Sequence, residues 1–180
     1  MTIFLCGFMG CGKSTIGVKL AKALDVPFTD MDTYIEEQAG KRIPEIFEED
    51  GEEHFRDLET QAVRDLSTRE GVIACGGGAM LREVNAKIAA ESGTVLFLDV
   101  PFRTCYLRIA NTDRPIVQRS TRQELYQLYR KRRGIYKRHS TMQMEAVHSP
   151  AAIVQEIVSE LGIRNEECAQ TTPLHKCVHS

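Results

Sequence analysis

The chain has 180 residues, 42% of them hydrophobic and 27% charged, with a net charge of −2. This is ordinary for a soluble globular domain, and the charge gives no reason to expect nucleic acid or an acidic membrane as partner. No apolar run approaches the ~20 residues that span a bilayer. The few residues before the first glycine are too short for a signal peptide, so a cytoplasmic protein is predicted.

Short apolar runs alternate with helical patterns along the chain. Residues 2–6 read as a buried strand, and residues 13–24 follow as a helix with Ile16, Leu20 and Leu24 on one face. Further strands are predicted at 27–29, 72–75, 94–98 and 142–147, and further helices at 102–109, 122–138 and 150–161. Strands that alternate with helices predict an α/β fold with a parallel sheet covered on both faces.

Residues 32–67 interrupt this rhythm, because they have helical character but contain no strand. Their dense acidic run is usually explained by a solvated helix face. The other interpretation is a small helical substrate-binding insertion. No linker divides the chain, so we expect one domain at 1–163.

The tail, residues 164–180, is expected to be flexible and polar. It contains Cys168, Cys177, His175 and His179, whose spacing fits no standard zinc pattern. The cysteines of the chain are expected to be free and reduced, as is usual in a cytosolic enzyme.

A phosphate-binding motif follows the first strand. Residues 7–15 read GFMGCGKST, a complete match to GxxxxGK[ST] between a strand and a helix. Backbone N–H groups of such a loop, and the helix N-terminus behind it, bind phosphate oxygens. Lys13 reaches the β- and γ-phosphates, and the Ser14 hydroxyl can bind Mg²⁺. The predicted ATP contacts in the loop are Gly10, Cys11, Gly12, Lys13, Ser14 and Thr15.

Two carboxylates, Asp30 and Asp32, follow the second strand. Ligands of open parallel sheets bind beyond the carboxyl ends of the strands, so both should lie near the phosphate loop. A kinase that acts on a hydroxyl needs a carboxylate to orient it and accept its proton, and Mg²⁺ needs further oxygen ligands. Two carboxylates with one residue between them could divide these tasks, and Asp30 is a candidate Mg²⁺ ligand, although Asp32 could instead be a helix N-cap.

Three later features could complete an acceptor site. Arg56 and Glu59 are three residues apart and can pair on one helix face, although a surface salt bridge is the commoner outcome. The triple glycine 76–78 lets backbone N–H groups approach a ligand, unless it is a plain loop. Arg114 precedes a polar stretch at 116–121, which is typical of a mobile lid with bounds of about 110–122, and could bring positive charge onto the transferring phosphate.

In combination, these motifs resemble the shikimate kinase family from Thr2 to about Gly162. The motifs that carry the resemblance are the loop 7–15, Asp30-x-Asp32, the run 51–59 with its FR-x-x-E pattern, the triple glycine 76–78, Arg114-Pro115, and Arg132 four residues before Tyr136. The resemblance implies a five-stranded parallel sheet of nucleoside monophosphate kinase type. It also implies phosphorylation of the 3-hydroxyl of shikimate by ATP with Mg²⁺, to give shikimate 3-phosphate and ADP in aromatic amino acid biosynthesis. The expected protein is a monomer whose partners are small molecules.

The resemblance also implies roles for particular residues. Asp32 would contact the reacting hydroxyl, and Arg56 and Arg132 would hold the substrate carboxylate. Of the triple glycine, Gly76, Gly77 and Gly78, the second would contribute a backbone contact.

On the nucleotide side, the resemblance makes Arg114 the lid arginine, Arg108 the residue stacked on adenine, and Pro150 a border of the adenine pocket. One departure is the basic segment 134–138, where the family has proline and acidic residues. It leaves open whether Arg132 or Arg133 contacts the substrate. The alternatives to this function are another small-molecule kinase, such as a gluconate or nucleoside monophosphate kinase, and a non-catalytic ATP-binding regulator.

Overall fold

A five-stranded parallel sheet forms the centre of the part of the chain that the computed structural model describes, residues 1–112 and 115–162. The strands are β1 (Thr2–Cys6), β2 (Phe28–Asp30), β3 (Gly71–Ala74), β4 (Thr94–Asp99) and β5 (Met142–Glu145). The helices are α1 (Lys13–Leu24), α2 (Met31–Ala39), α3 (Ile43–Glu49), α4 (Gly51–Ser67), α5 (Glu83–Ser92), α6 (Phe102–Ile109), α7 (Pro115–Gln118), α8 (Arg122–His139) and α9 (Pro150–Glu160), with a 3₁₀ turn at Ala79–Leu81. The predicted α/β fold is confirmed.

The strand order is β2-β3-β1-β4-β5, and every neighbouring pair is parallel. The chain leaves β1 toward β2 on one side and returns to β4 on the other side of β1. The carboxyl end of β1 is therefore the point where the strand order reverses, which is where open α/β sheets bind ligands. The phosphate loop starts at this point.

Two hydrophobic layers cover the sheet, because successive side chains of a strand point to opposite faces. In β1, Ile3 and Leu5 belong to one layer, and Phe4 and Cys6 belong to the other. All four are at most 1% exposed. Strands buried on both faces explain the continuous apolar runs from which they were predicted.

The segment between β2 and β3 folds as the three helices α2, α3 and α4. Helix α4 packs against α2, α3 and α5, and the Phe47 and Phe55 rings contact each other with centroids 4.8 Å apart. The acidic side chains around the α3 to α4 junction are exposed, as expected of a solvated face. The helical character of this segment is confirmed.

Two observations bear on the remaining sequence expectations. No helix within residues 1–112 and 115–162 is long and apolar enough to cross a membrane. Four cysteines of the same ranges are free and buried, namely Cys6, Cys11, Cys75 and Cys105. The tail cysteines and histidines lie outside the described residues.

Candidate active site

The phosphate loop wraps the junction between β1 and α1. Gly12 has φ 97° and is the residue before the helix, a conformation that favours glycine. The Lys13 ammonium lies over the loop and donates to the Gly7 carbonyl at 2.9 Å. The Cys11 N–H donates to the Phe8 carbonyl at 3.1 Å, which closes the turn inside the loop. The motif therefore has the geometry that the sequence predicted.

A cavity of about 450 Å³ opens beside this loop at the carboxyl edge of the sheet. It brings together predicted site residues from the phosphate loop, the end of β2, the triple glycine and the four helices α1, α2, α4 and α8. Its lining includes Gly10, Gly12, Lys13, Ser14, Thr15, Asp30, Asp32, Arg56, Gly76, Gly77, Gly78 and Arg132, together with Met9, Ala74, Cys75 and Ile116. Candidate nucleotide and acceptor residues thus share one space.

Asp30 and Ser14 are neighbours at the floor of the cavity. The Ser14 hydroxyl lies 3.4 Å from Asp30 Oδ2. Asp30 Oδ1 accepts from the N–H groups of Asp32 and Thr33, at 3.1 and 3.3 Å, and so caps α2. The helix cap considered for Asp32 is thus provided by Asp30, because Asp30 is the last extended residue and Asp32 is already inside the first turn. One oxygen of Asp30 caps the helix while the other faces Ser14.

Asp32 lies against Gly76 and Glu59. A Cβ at Gly76 would come within 2.5 Å of Asp32 Oδ1 and 3.2 Å of Glu59 Oε1, so a side chain there would displace the Asp32 carboxylate. Burial raises the pKa of the Glu59 carboxyl, the nearby Asp32 charge adds to this, and the Arg56 guanidinium opposes it without cancelling it. The Asp32 side chain therefore lies in a crowded, partly enclosed position at the cavity wall.

Arg56 is held by two carboxylates of its own helix. Its Nη1 donates to Glu59 Oε2 at 2.7 Å, and its Nη2 donates to Glu52 Oε1 at 3.1 Å. Glu59 is 1% exposed, whereas Glu52 is 68% exposed. The predicted pairing of Arg56 with Glu59 is confirmed, and it is largely buried, unlike an ordinary surface salt bridge.

The triple glycine lies directly over Arg56. A Cβ at Gly78 would come within 2.1 Å of Arg56 Nη1, whereas a Cβ at Gly77 would meet Arg132 Nη1 at an ordinary 3.6 Å. The backbone of this segment can therefore approach both guanidinium groups. The alternative of a plain loop does not account for such close contacts.

The two candidate arginines, Arg132 and Arg133, point in different directions from helix α8. Arg132 lines the cavity. Arg133 lies one residue further around the helix and makes two hydrogen bonds to Asp99, from Nε to Oδ1 at 2.8 Å and from Nη2 to Oδ2 at 2.7 Å. Of the pair, the geometry favours Arg132 as the ligand-facing residue.

Side chains beyond the cavity contact residues 76–81, the triple glycine and the 3₁₀ turn after it, which we call the glycine segment. The buried Tyr136 hydroxyl donates to the Gly77 carbonyl at 2.5 Å, Asn85 Nδ2 donates to the Ala79 carbonyl at 2.8 Å, and His139 Nδ1 lies 2.8 Å from the Met80 carbonyl. None of these contacts was predicted from the sequence. The regular spacing of Tyr136 and His139 from Arg132, four and seven residues, placed all three on one helix face.

The described residues that were predicted to bind the adenine side do not line this cavity. Arg108 Nη1 donates to the Gly10 carbonyl at 2.9 Å, so its guanidinium lies beside the phosphate loop although it does not line the cavity. Pro150 begins α9 and is exposed, and the buried Cys11 also lies outside the lining. Arg114 lies outside the described residues. The structure therefore brings the acceptor-side residues together more completely than the adenine-side ones.

Comparison with protein families agrees with this geometry. The model of the family described as shikimate kinase matches residues 9–162. A shikimate kinase of Persephonella marina is 39% identical over 160 residues, which cover 88% of this chain and 98% of the relative. The chain belongs to the shikimate kinase family.

Solved structures extend the likeness to three dimensions. A shikimate kinase from Acinetobacter baumannii, solved in complex with shikimate, is 34% identical with a TM-score of 0.82, and the match covers 89% of this chain and 92% of that one. A gluconokinase from Sinorhizobium meliloti has a TM-score of 0.58 at 19% identity, over 89% and 91% of the two chains. The second likeness is one of fold alone, so the site residues must distinguish the two activities.

Proposed function

We propose that this shikimate kinase family member transfers the γ-phosphoryl group of ATP to the 3-hydroxyl of shikimate, giving shikimate 3-phosphate and ADP. The observation that carries the proposal is a single cavity lined by the phosphate loop, by Asp32 and by two arginines, Arg56 and Arg132. A phosphate donor, a hydroxyl and a carboxylate each have a matching group there.

The phosphate loop would hold the donor. Its backbone N–H groups and the N-terminus of α1 favour phosphate oxygens, and Lys13 would move from the loop carbonyls onto the β- and γ-phosphates. Developing charge on the transferred group would then be stabilised by a fixed cation and by fixed dipoles. Lys13 is accordingly the first catalytic residue that we propose.

Asp32 would act on the acceptor. Its carboxylate orients the 3-hydroxyl and accepts its proton as the oxygen bonds to the γ-phosphorus and the bond to the bridging oxygen of ADP breaks. The neighbouring Gly76 allows this carboxylate to sit at the cavity wall.

The residues Ser14 and Asp30 fit Mg²⁺, since they offer hydroxyl and carboxylate oxygens to one region of the cavity. When bound there, the ion would supply charge neutralisation between the donor phosphates. Asp30 keeps one oxygen available for this while the other caps α2.

Arg56 and Arg132 would bind the carboxylate of shikimate. A guanidinium donates two parallel hydrogen bonds to a carboxylate, which an ammonium cannot do. Glu59 fixes the direction of Arg56, and the triple glycine contacts both arginines, with Gly78 beside Arg56 and Gly77 beside Arg132. Backbone groups of Gly76, Gly77 and Gly78 would complete the acceptor site.

The proposed site and domain extend beyond the residues that line this cavity. Arg108 and Pro150 would border the adenine, and Arg114 would act from a lid at about 110–122. Residues 32–67 would form the acceptor-binding insertion of one domain at 1–163. A cytoplasmic monomer remains our expectation.

A coupled assay of ADP release tests the proposed function. Purified protein is supplied with ATP, Mg²⁺ and, in separate arms, shikimate, gluconate or nucleoside monophosphates. We expect turnover with shikimate and its loss in Lys13→Met, which should fold normally because, within the described residues, the Lys13 ammonium donates its hydrogen bonds to its own loop. Turnover with gluconate or a nucleoside monophosphate instead of shikimate would contradict the proposal, as would unchanged kcat in Lys13→Met.

A further inference from the structure

Helix α8 presents two adjacent faces to the rest of the protein. Arg132, Tyr136 and His139 lie on one face, where they meet the cavity and the glycine segment. Arg133 and Lys137 are four residues apart and lie on the neighbouring face. Consecutive residues of an α-helix differ by about 100° in direction, so the setting of one face fixes the other.

The second face contacts a carboxylate, Asp99, at the end of β4. Asp99 accepts two hydrogen bonds from Arg133, at 2.8 and 2.7 Å, and its Oδ2 lies 3.3 Å from the Lys137 ammonium. The Asp99 side chain is 10% exposed. Burial would raise the pKa of this carboxyl, but Arg133 and Lys137 outweigh burial and hold the pKa below its usual range.

Asp99 does not line the cavity. It terminates a strand whose position the sheet fixes, next to β1 and the phosphate loop. Its two-point contact with Arg133 resists both sliding and rotation of α8, because a bidentate pair constrains direction as well as distance. A contact to one oxygen alone would constrain distance but not direction.

We propose that Asp99 is a positioning residue for acceptor recognition: through Arg133 and Lys137 it sets the rotation of α8 and so aims Arg132 into the cavity. This inference rests on the proposed function for the identity of the acceptor. It assigns a role to Arg133 and to Lys137, the second of which lies in the basic segment 134–138: both side chains bind Asp99 of β4.

The same rotation sets Tyr136 against the Gly77 carbonyl. Loss of the Asp99 contact should therefore disturb both the Arg132 guanidinium and the glycine segment, while the phosphate loop keeps its own hydrogen bonds. The acceptor side of the cavity should suffer and the nucleotide side should not. A residue that only stabilised the fold would not separate the two substrates.

Steady-state kinetics of Asp99→Asn, Arg133→Gln and the double variant test this separation. We expect the KM for shikimate to rise about 10-fold in each single variant, since an error of about 1 Å in a positioned group can cost up to ~100-fold. The KM for ATP should stay within about twofold of wild type. The double variant should be no worse than the single ones, because both act through one contact.

Val154→Ala is the control for lost stability, because Val154 is a buried residue of α9, which packs against α1. It should lower Tm without changing the KM for shikimate. An equal rise in both KM values, additive effects in the double variant, or an unchanged KM for shikimate would overturn the proposal.

Hydrogen exchange of the free protein tests the same claim without any substrate. Asp99→Asn should speed exchange in residues 132–139 and 79–81, whereas Val154→Ala should not. Unchanged exchange in both segments would overturn the positioning role. Failure of the wild-type protein to phosphorylate shikimate would instead contradict the proposed function, and the exchange result would still decide the role of Asp99.

Discussion

A single glycine, Gly78, controls how the Arg56 guanidinium reaches the cavity. Gly78 has φ −99°, which any residue adopts, so its requirement for glycine comes from contact and not from backbone conformation. The contact is with Arg56 Nη1, which a Cβ would approach to 2.1 Å. Since the far end of a long side chain can move, alanine at this position should be tolerated by the fold but not by the site.

Gly78→Ala should therefore displace Arg56 and weaken acceptor binding. We expect a rise of about 10- to 100-fold in the KM for shikimate, the scale of a misplacement of about 1 Å. The KM for ATP and the Tm should change little. Steady-state kinetics with each substrate varied in turn, together with thermal unfolding, measures all three.

Gly77→Ala is the matched control, since its Cβ would meet only Arg132 Nη1 at 3.6 Å. Its backbone N–H and carbonyl are unchanged, so near wild-type kinetics are expected. If both alanine variants behaved alike, the close approach of Gly78 to Arg56 would not determine the position of the arginine.

At the level of residues, the sequence located the site but could not assign every direction. Arg132 and Arg133 are adjacent cations, and only the long-range partner Asp99, 34 residues away from Arg133, distinguishes them. Asp30 and Asp32 were likewise found together, but which of them caps α2 depends on where β2 ends. Local patterns contain no information about such distant partners.

At the level of elements, α8 connects the acceptor arginine to the glycine segment. The Tyr136 ring is 1% exposed and packs on Phe97 with ring centroids 5.5 Å apart, so its hydroxyl has little freedom. Burial raises the pKa of the Tyr136 hydroxyl, which keeps it protonated as a donor. The Gly77 carbonyl that accepts this hydrogen bond lies in the segment that faces both arginines.

Tyr136→Phe should loosen the glycine segment while the ring stays packed. Losing the hydrogen bond and leaving the Gly77 carbonyl without it should cost about 1–3 kcal/mol in the free energy of unfolding. The KM for shikimate should rise several-fold. We expect a rise of at most ~10-fold, which corresponds to 1.4 kcal/mol of binding free energy. Urea unfolding and steady-state kinetics provide the two measurements.

Tyr129→Phe, also on α8, removes a comparable hydrogen bond, since the Tyr129 hydroxyl donates to the Val100 carbonyl at 2.9 Å. It should lose similar stability yet keep the KM for shikimate. A rise in the KM of Tyr129→Phe equal to that of Tyr136→Phe would mean that general loosening of α8, and not the bond to Gly77, affects the acceptor.

The elements themselves were largely predictable, because most have strong periodicity or clear caps. Helices α1 and α6 have the predicted bounds, and α8 ends one residue later than expected. The insertion was predicted only as helical, and its division at Gly40 and Gly51, both with positive φ, was not foreseen. The 3₁₀ turn after the triple glycine was also missed, because it is stabilised by side chains of α5 and α8.

At the level of the whole molecule, the parallel sheet assembles the site. Residues 13, 30, 32, 56, 77 and 132 span most of the described chain, yet they line one cavity because the strand ends meet at one edge. The sequence predicted that edge from the α/β alternation. The strand order that places β1 between β3 and β4 came only with the structure, because strand pairing depends on long-range packing.

The proposed activity requires a carboxylate-binding acceptor site beside a phosphate donor site. Shikimate carries a carboxylate remote from its reacting hydroxyl, and its methyl ester keeps the hydroxyls while removing that charge. Removing one partner of a buried, hydrogen-bonded charge pair costs ~2–5 kcal/mol, roughly 30- to 5,000-fold in affinity.

The most direct measurement is kcat/KM for shikimate and for shikimate methyl ester, in the wild type and in Arg56→Ala. We predict that the wild type strongly prefers the acid, and that Arg56→Ala is nearly inactive on shikimate and discriminates far less between the two compounds. Similar kcat/KM values for acid and ester in the wild type would contradict the account, because the two arginines would then not be reading a carboxylate.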